Sequence, residues 1–290
     1  RDGKYIDLQS NIYIRIQLIS YTHINRNKRH KTMILAIDMG NSNIVIGGID
    51  KEKIYFLERV TTALNKTDLE YAVNIKNILD IHDIDISSIE GAILSSVVPP
   101  LNKAIMSAVK KAVKLDCMLV NPHMKTGISL LMDSPSSVGS DLIVDSVAAV
   151  HEYELPLAVI DMGTATTIFV VDEEKNFIGG IIHPGIRVSL ESLSRNTAQL
   201  PAIDLDAPGN IISKNTVDSM KNGILYGHAG MIDRCIDNME EEIGQKLTVI
   251  ATGGFSSYLK PLCKHELILD DNLLLKGLRI LYELNKKDDM

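Results

Sequence analysis

The chain has 290 residues, 45% of them hydrophobic, so it can bury a large core in one large domain or two of ordinary size. The formal net charge is −7, but residues 1–32 hold seven Lys or Arg against two Asp or Glu. That stretch is therefore +5 and the remainder −12, and an acidic body argues against nucleic acid as a partner.

The cysteines and the apolar runs of the chain indicate its cellular compartment and whether it associates with a membrane. Cys117, Cys235 and Cys263 are far apart and form no Cys-x-x-Cys pair. This argues against a disulfide framework or a thiolate zinc site and indicates a reducing, cytoplasmic location. No apolar run approaches the roughly 20 residues that span a bilayer, so no membrane association is expected.

Residues 1–32 are interpreted as an extension that is not part of the fold. They begin with Arg rather than Met and end in the basic run NRNKRHKT, whereas the first strong strand pattern starts at Met33. A functional basic arm is the alternative interpretation.

The main feature of the chain is an internal repeat. The segment ILAIDMGNSNIVIGGIDKEKIYF, from Ile34, is similar to LAVIDMGTATTIFVVDEEKNFIG, from Leu157. Each copy has two apolar runs joined by Asp-Met-Gly and small polar residues, which predicts a hairpin followed by a third strand. The two aspartates, Asp38 and Asp161, occupy equivalent positions.

Helical patterns follow each copy. Thr67 and Glu70 form a capping box before a helix, GAILSSVVPP predicts a buried strand, and LNKAIMSAVKKAVK predicts a helix. In the second half we expect a long helix from residue 215, a strand at LTVIATGGF and a closing helix at DNLLLKGLRILYELNKK. The order βββαβα, found twice, predicts an α/β fold with domains at residues 33–150 and 151–290.

The two Asp-Met-Gly turns carry the strongest chemical signal. Tight turns with outward backbone N–H groups and short hydroxyl or amide side chains suit phosphate, and a nearby carboxylate can hold a metal–nucleotide complex. One such turn alone is more typical of an ordinary hairpin. Two copies at equivalent positions favour a ligand cleft between two halves. No Walker-type loop or strand-linked dinucleotide fingerprint is present.

A second acidic position lies in SSVGSDLIVDSVAAVHEY. Ser136 or Ser137 is predicted to cap this helix and Asp141 to lie in its first turn. Asp141 is either a carboxylate that interacts with the helix dipole or a general base for phosphoryl transfer. His183, before a proline, is predicted to lie in a turn with a structural role.

The ordered motifs IDMGNSN, VGSD, IDMGTATT, GGIIHPG, KNT with MKNGILYG, and IATGGF resemble type III pantothenate kinase across residues 33–285. The resemblance implies two actin-like (ribonuclease H-like) domains with mixed sheets and an active-site cleft between them. It also implies a homodimer that transfers the ATP γ-phosphate to a pantothenate hydroxyl, with Mg²⁺ and a monovalent cation, K⁺ or NH₄⁺.

Matched position by position, the resemblance implies roles for individual residues. Asp141 would be the proton acceptor and Asp161 the monovalent-cation ligand. ATP would be bound by Asp38, Met39, Gly40, Asn41, Ser42, Asn43, Ile44, Val45 and Thr164, and pantothenate by Gly139, Ser140, Asp141, Leu142 and Thr216.

Two departures fall on the acceptor side. The family pattern has Arg where this chain has Leu142, and often Tyr where it has Met132. Leucine cannot replace a guanidinium that binds a carboxylate; Arg187 or Arg195 could supply the charge. Two alternatives therefore stay open: a nucleotide-binding paralogue with a regulatory role, or a kinase of the same superfold with another hydroxyl acceptor.

Overall fold

The computed structural model describes residues 32–286, so the predicted extension lies outside the described residues except for Thr32. The first sheet has the strand order β3-β2-β1-β4-β5. Its strands are β1 Met33–Met39, β2 Asn43–Ile49, β3 Ile54–Thr61, β4 Ile89–Ser96 and β5 Cys117–Leu119. The hairpin strands β1, β2 and β3 pair antiparallel, whereas β4 runs parallel to β1 and β5 parallel to β4.

The second sheet repeats this design. Its strands are β6 Ser129–Leu130, β7 Leu157–Met162, β8 Ala165–Val171, β9 Asn176–Pro184, β10 Thr248–Thr252 and β11 Ile268–Leu269. They lie in the order β11-β10-β7-β8-β9-β6, with β7, β8 and β9 antiparallel and β10 parallel to β7. Asp38 and Asp161 occupy the same place in their sheets, one residue before the end of β1 and of β7. The predicted repeat and the mixed α/β fold class are confirmed.

Seven α-helices lie within the described residues 32–286. They are α1 Asp68–Ile81, α2 Asn102–Val113, α3 Ser140–Glu152, α4 Ile186–Arg195, α5 Thr216–Ile243, α6 Ser256–Leu259 and α7 Leu273–Asn285. The capping box of α1 is confirmed, because the Thr67 side chain accepts from the Glu70 backbone N–H while the Glu70 carboxylate accepts from Thr67 N. Over the same stretch of chain, no helix is both long and apolar enough to cross a membrane.

Two local predictions are wrong. Ser136 and Ser137 lie in a separate 3₁₀ turn, Pro135–Ser137, and the N-cap of α3 is Gly139, which makes no side-chain capping bond. His183 lies in β9, opposite Thr166 of β8, rather than in a turn. Pro184 is the last residue of that strand, where its missing N–H costs the sheet no hydrogen bond.

Helices α3 and α7 lie between the two sheets. Val144 and Val147 of α3 pack with Ile34 of β1 and Leu278 of α7, whereas Ala148 of α3 packs with the second sheet. Helices α1 and α2 cover the opposite face of the first sheet, and α5 covers that of the second. The last helix of the chain therefore contacts the first sheet, and the division at residues 150 and 151 stays a prediction.

Gly277→Ala is expected to destabilise the fold at the crossing of α3 and α7. A Cβ at Gly277 would lie 2.1 Å from the Val144 carbonyl oxygen, so the helices would have to separate. Such overpacking costs about 1–3 kcal/mol, and urea unfolding measures it. The control is Gly230→Ala in α5, where a Cβ meets nothing within 4 Å and helix propensity should add stability. Equal stability of the two variants would contradict the close approach.

Candidate active site

The first loop, residues 39–43, connects β1 to β2 and is fixed by its own backbone. Gly40 N donates to Asn43 O at 3.0 Å. From the end of β3, the Thr62 hydroxyl donates to Gly40 O at 2.7 Å, and Thr62 N donates to Ser42 O at 3.0 Å. Asn41, Ser42 and Asn43 are exposed on this rigid turn, as a phosphate-binding loop requires.

Three other residues of the predicted nucleotide segment are less accessible. The side chains of Met39 and Ile44 are fully buried in the core of the first half, and Val45 is half-buried in β2. Met39 and Ile44 can therefore contact a nucleotide only through backbone groups.

The second loop, residues 162–165, lies against the first. Gly163 N donates to Ala165 O at 3.0 Å, and Gly185 N donates to Thr164 O at 3.1 Å. A Cβ at Gly185 would lie 2.3 Å from Thr164 O, so only glycine permits this approach. The Thr164 and Ser42 hydroxyls are 3.3 Å apart. The structure thus brings the two Asp-Met-Gly turns together.

Helix α3 is attached to the first sheet at its first residue. The Ser140 hydroxyl donates to Ser96 O at 3.1 Å, accepts from Ser96 N at 3.1 Å and lies 3.0 Å from the Ser95 hydroxyl. Ser95 is the register partner of Asp38 and hydrogen-bonds to its carboxylate. The start of α3, where Asp141 lies, is therefore positioned relative to Asp38.

The carboxyl groups of this site are desolvated and repel one another. Burial, and then the nearby Asp141 charge, raises the pKa of Asp38 to about 7, although the Ser95 hydrogen bond opposes the shift. Burial and Asp141 also raise the pKa of Asp161 to about 7. Burial raises the pKa of Asp141 itself, against the opposing hydrogen bond from Leu142 N at 2.9 Å. Such a concentration of carboxylates suits bound cations and a general base.

Asp145 is a fourth carboxyl group here that the sequence interpretation did not include. It is 1% exposed, in the second turn of α3, and its surroundings include Asp38, Asp141 and Asp161. The available signal was its spacing, since residue 145 lies one helical turn after Asp141 and is flanked by the apolar residues Ile143, Val144 and Val147.

The predicted acceptor residues are only partly brought together. Leu142 and Met132 both pack, half-buried, against the apolar cluster between α3 and the second sheet. Thr216 lies at the start of α5, which packs on the opposite face of that sheet from α3. Arg187 and Arg195 are exposed on α4, and Arg195 pairs with Glu191 at 3.2 Å.

Gly139→Ala is expected to lower activity more than stability. A Cβ at Gly139 would lie 2.3 Å from Asp141 Oδ1, and the carboxylate, being the end of a side chain, would turn away. Asp141 is predicted from the motifs to be the proton acceptor, and misplacing such a group by about 1 Å costs on the order of 100-fold in kcat. Steady-state kinetics would measure this loss. Ser136→Ala, in the turn before the helix, is the control with unchanged kcat. A Gly139→Ala enzyme with normal kcat would contradict the positioning role.

The fold and the site define a class of protein. It is an actin-like α/β protein with two facing turns of the kind that bind phosphate and a cluster of carboxylates between two sheets. The family model for type III pantothenate kinase matches residues 34–238. The type III pantothenate kinase of Brevibacillus brevis is 41% identical over 256 residues, which cover 88% of this chain and 100% of that protein. That of Bacillus cytotoxicus is 41% identical over 253 residues, covering 87% of this chain and 97% of that protein. The chain therefore belongs to the type III pantothenate kinase family, which confirms the resemblance drawn from the motifs.

Solved structures support the fold alone. A Campylobacter jejuni protein described as a Baf family transcriptional activator matches with a TM-score of 0.54 at 19% identity, over 87% of this chain and 98% of that one. Component A of (R)-2-hydroxyglutaryl-CoA dehydratase from Acidaminococcus fermentans matches with a TM-score of 0.50 at 14% identity, over 87% and 97%.

Proposed function

We propose that this chain transfers the γ-phosphate of ATP to the primary hydroxyl of pantothenate, the first step of coenzyme A synthesis. The observation that carries the proposal is a desolvated carboxylate, Asp141, at the start of a helix that is hydrogen-bonded to the end of β4. Strand β4 pairs with β1, which leads into the first of two loops that face each other at Ser42 and Thr164. Membership of the family supports the same reaction.

In the proposed mechanism Asp141 accepts the proton of the acceptor hydroxyl as its oxygen bonds to the γ-phosphorus. The bond from that phosphorus to the ADP oxygen breaks at the same time. Because phosphoryl transfer passes through a loose transition state, alignment and charge stabilisation do most of the work. Backbone N–H groups of the first loop, with the Ser42 and Thr164 hydroxyls, are assigned to the phosphates. The raised pKa of Asp141 makes it a stronger base than an exposed carboxylate.

Cations are proposed at the carboxylates. Oxygen ligands of this kind suit Mg²⁺ and larger monovalent ions, and the raised pKa values of Asp38 and Asp161 reflect charges that bound cations would stabilise. When bound, Mg²⁺ would offset the negative charge of the phosphates. We assign Asp38 to the metal–nucleotide side and Asp161 to K⁺ or NH₄⁺.

A second candidate acceptor is favoured by the packing of Leu142 and Met132. Both lie half-buried against the apolar cluster between α3 and the second sheet, at positions where the family pattern has Arg and often Tyr. This surface suits an acceptor without a carboxylate, such as the neutral amide pantetheine. Arg187, near the start of α4 and close to the second loop, is the candidate that would bind a pantothenate carboxylate.

We further propose that the chain forms a homodimer in the cytoplasm. Among the described residues, seven large apolar side chains between residues 178 and 217 are exposed, with Ile182 at 78% and Ile212 at 84%. So many exposed apolar side chains in one segment of the chain are typical of an interface. The three cysteines of the described chain are free thiols, which fits a reducing compartment.

The test is ADP release by the purified full chain with ATP, Mg²⁺ and K⁺, with no acceptor, with pantothenate, or with pantetheine. Stimulation by pantothenate supports the proposed reaction. Stimulation by pantetheine alone supports the second candidate, and bound ATP without stimulation by either would refute both. Sedimentation measures the oligomeric state in the same buffer.

A further inference from the structure

Buried polar atoms without partners are few and lie close to the site. Within residues 32–286 they are Asp145 Oδ1, Thr166 Oγ1 and Thr167 Oγ1. Asp145 is 1% exposed, so water does not compensate it in the way that it would at the surface. Buried charged groups in proteins are paired, protonated or bound to a metal, because an unpaired buried charge is strongly unfavourable.

The helix geometry directs Asp145 toward the second sheet. Asp141, Asp145 and Ala149 follow one another at intervals of four residues, so they share one face of α3. Ala149, together with its neighbour Ala148, packs against Leu157 and Val159 of β7. Asp145 therefore lies between the catalytic carboxylate and the floor formed by the second sheet.

The sheet presents oxygen atoms to the same space. Asp161 follows Leu157 and Val159 at intervals of two residues, and therefore projects from the same face of β7. Thr167 lies directly opposite Asp161 in the antiparallel ladder, so its side chain projects there as well. The unpartnered hydroxyl of Thr167 and the unpartnered oxygen of Asp145 thus face one region.

The charged groups around Asp145 are all negative. Every neighbouring charge that acts on Asp145 is a carboxylate, from Asp161, Asp141, Asp38 and Asp270. Burial, followed by these neighbours, raises the pKa of Asp145 well above its ordinary value. A hard cation bound to the carboxylate and hydroxyl oxygens would reverse the repulsion.

We propose that Asp145 is a cation ligand, whose Oδ1 holds a hard metal or ammonium ion together with the Thr167 hydroxyl and Asp161, on the floor of the cleft below Asp141. Oxygen donors favour hard cations, and the three candidate ions are K⁺, NH₄⁺ and Mg²⁺. The effect on phosphoryl transfer rests on the proposed kinase function, but the binding of the ion does not.

The test measures thermal unfolding of the full chain without nucleotide or acceptor, in choline chloride and then with KCl, NH₄Cl or MgCl₂ at constant ionic strength. A cation at ten times its dissociation constant should raise the unfolding temperature by roughly 2–4 °C. We expect this rise in wild type and its loss in Asp145→Asn. The matched control is Asp233→Asn, a buried carboxylate outside the cleft that accepts from Lys264 N and His265 N. It should lower the unfolding temperature but keep the rise.

The cation dependence of enzyme activity is a second test of the same site. The concentration of that cation needed for half-maximal ADP release should increase at least tenfold in Asp145→Asn. If this variant does not fold, Thr167→Val removes one proposed ligand and Thr167→Ser restores its oxygen. An Asp145→Asn chain that responds to cations as wild type does, or a wild type that responds to none of the three, overturns the proposal. A normal cation response without pantothenate phosphorylation would instead refute only the kinase function.

Discussion

Replacing Asp141 by asparagine is expected to lower kcat for acceptor-dependent ADP release by about 100- to 10,000-fold, the range for loss of a general base. Asparagine has nearly the same shape and can still accept the hydrogen bond from Leu142 N, so the start of α3 should be preserved. Because asparagine cannot accept the hydroxyl proton, the loss should fall on kcat, with the KM for ATP nearly unchanged. Steady-state kinetics with ATP and acceptor varied separately would measure both.

The control for this prediction is Asp218→Asn. Asp218 also lies in the first turn of a helix, α5, where it interacts with the N-cap Asn215 and with Lys221. Loss of a helix-dipole interaction costs about 0.3–1 kcal/mol of stability and should leave kcat unchanged. If Asp141→Asn behaved as Asp218→Asn does, Asp141 would be a helix-dipole residue and the mechanism would be wrong.

Asp38→Asn is expected to make the unliganded protein more stable at high pH and inactive. The pKa of Asp38 is about 7 in the fold, against 3.8 for the unperturbed side chain. Between these two pH values the folded state keeps a proton that the unfolded state has lost, so stability falls as the pH rises from about 4 to about 7. A shift of about 3 pKa units corresponds to roughly 4 kcal/mol, fully expressed above pH 7.

Chemical unfolding of both proteins from pH 4.5 to pH 8, without metal or nucleotide, would measure this difference. The two proteins should have similar stability at the acid end and diverge toward pH 8. The control is Asp270→Asn, which removes a buried carboxylate that is paired with Lys276 at 2.7 Å and Tyr153 at 2.8 Å. Breaking such a pair should destabilise the fold by a few kcal/mol. A wild-type minus Asp38→Asn difference that is constant with pH would contradict the buried charge.

Local patterns in the sequence were sufficient to predict much of the fold. The capping box at Thr67, the long helix from Thr216 and the two Asp-Met-Gly hairpins all depend on residues close together in the chain. Such signals act within one element, so neighbouring residues suffice to predict them. The equivalence of Asp38 and Asp161 followed from the repeat for the same reason.

Other features depend on contacts between distant residues. The hydrogen bond from Ser95 to Asp38 exists because β4 pairs with β1 in one register, which no local pattern reveals. The Ser140 hydroxyl bonds to the end of β4, so α3 begins at residue 140 rather than at the serines that resembled a cap. Strands β5, β6 and β11, of two or three residues, are likewise defined only by their partners.

The position of α7 has a consequence for synthesis of the chain on the ribosome. Ile34 and Ala36 of β1 are covered by a helix that begins at Leu273, more than 230 residues later. The first sheet emerges early, and α3 can cover part of that face, but the part under α7 stays open until nearly the whole protein has been made. A nascent chain that stops before Leu273 should therefore expose this apolar face to chaperones or to aggregation.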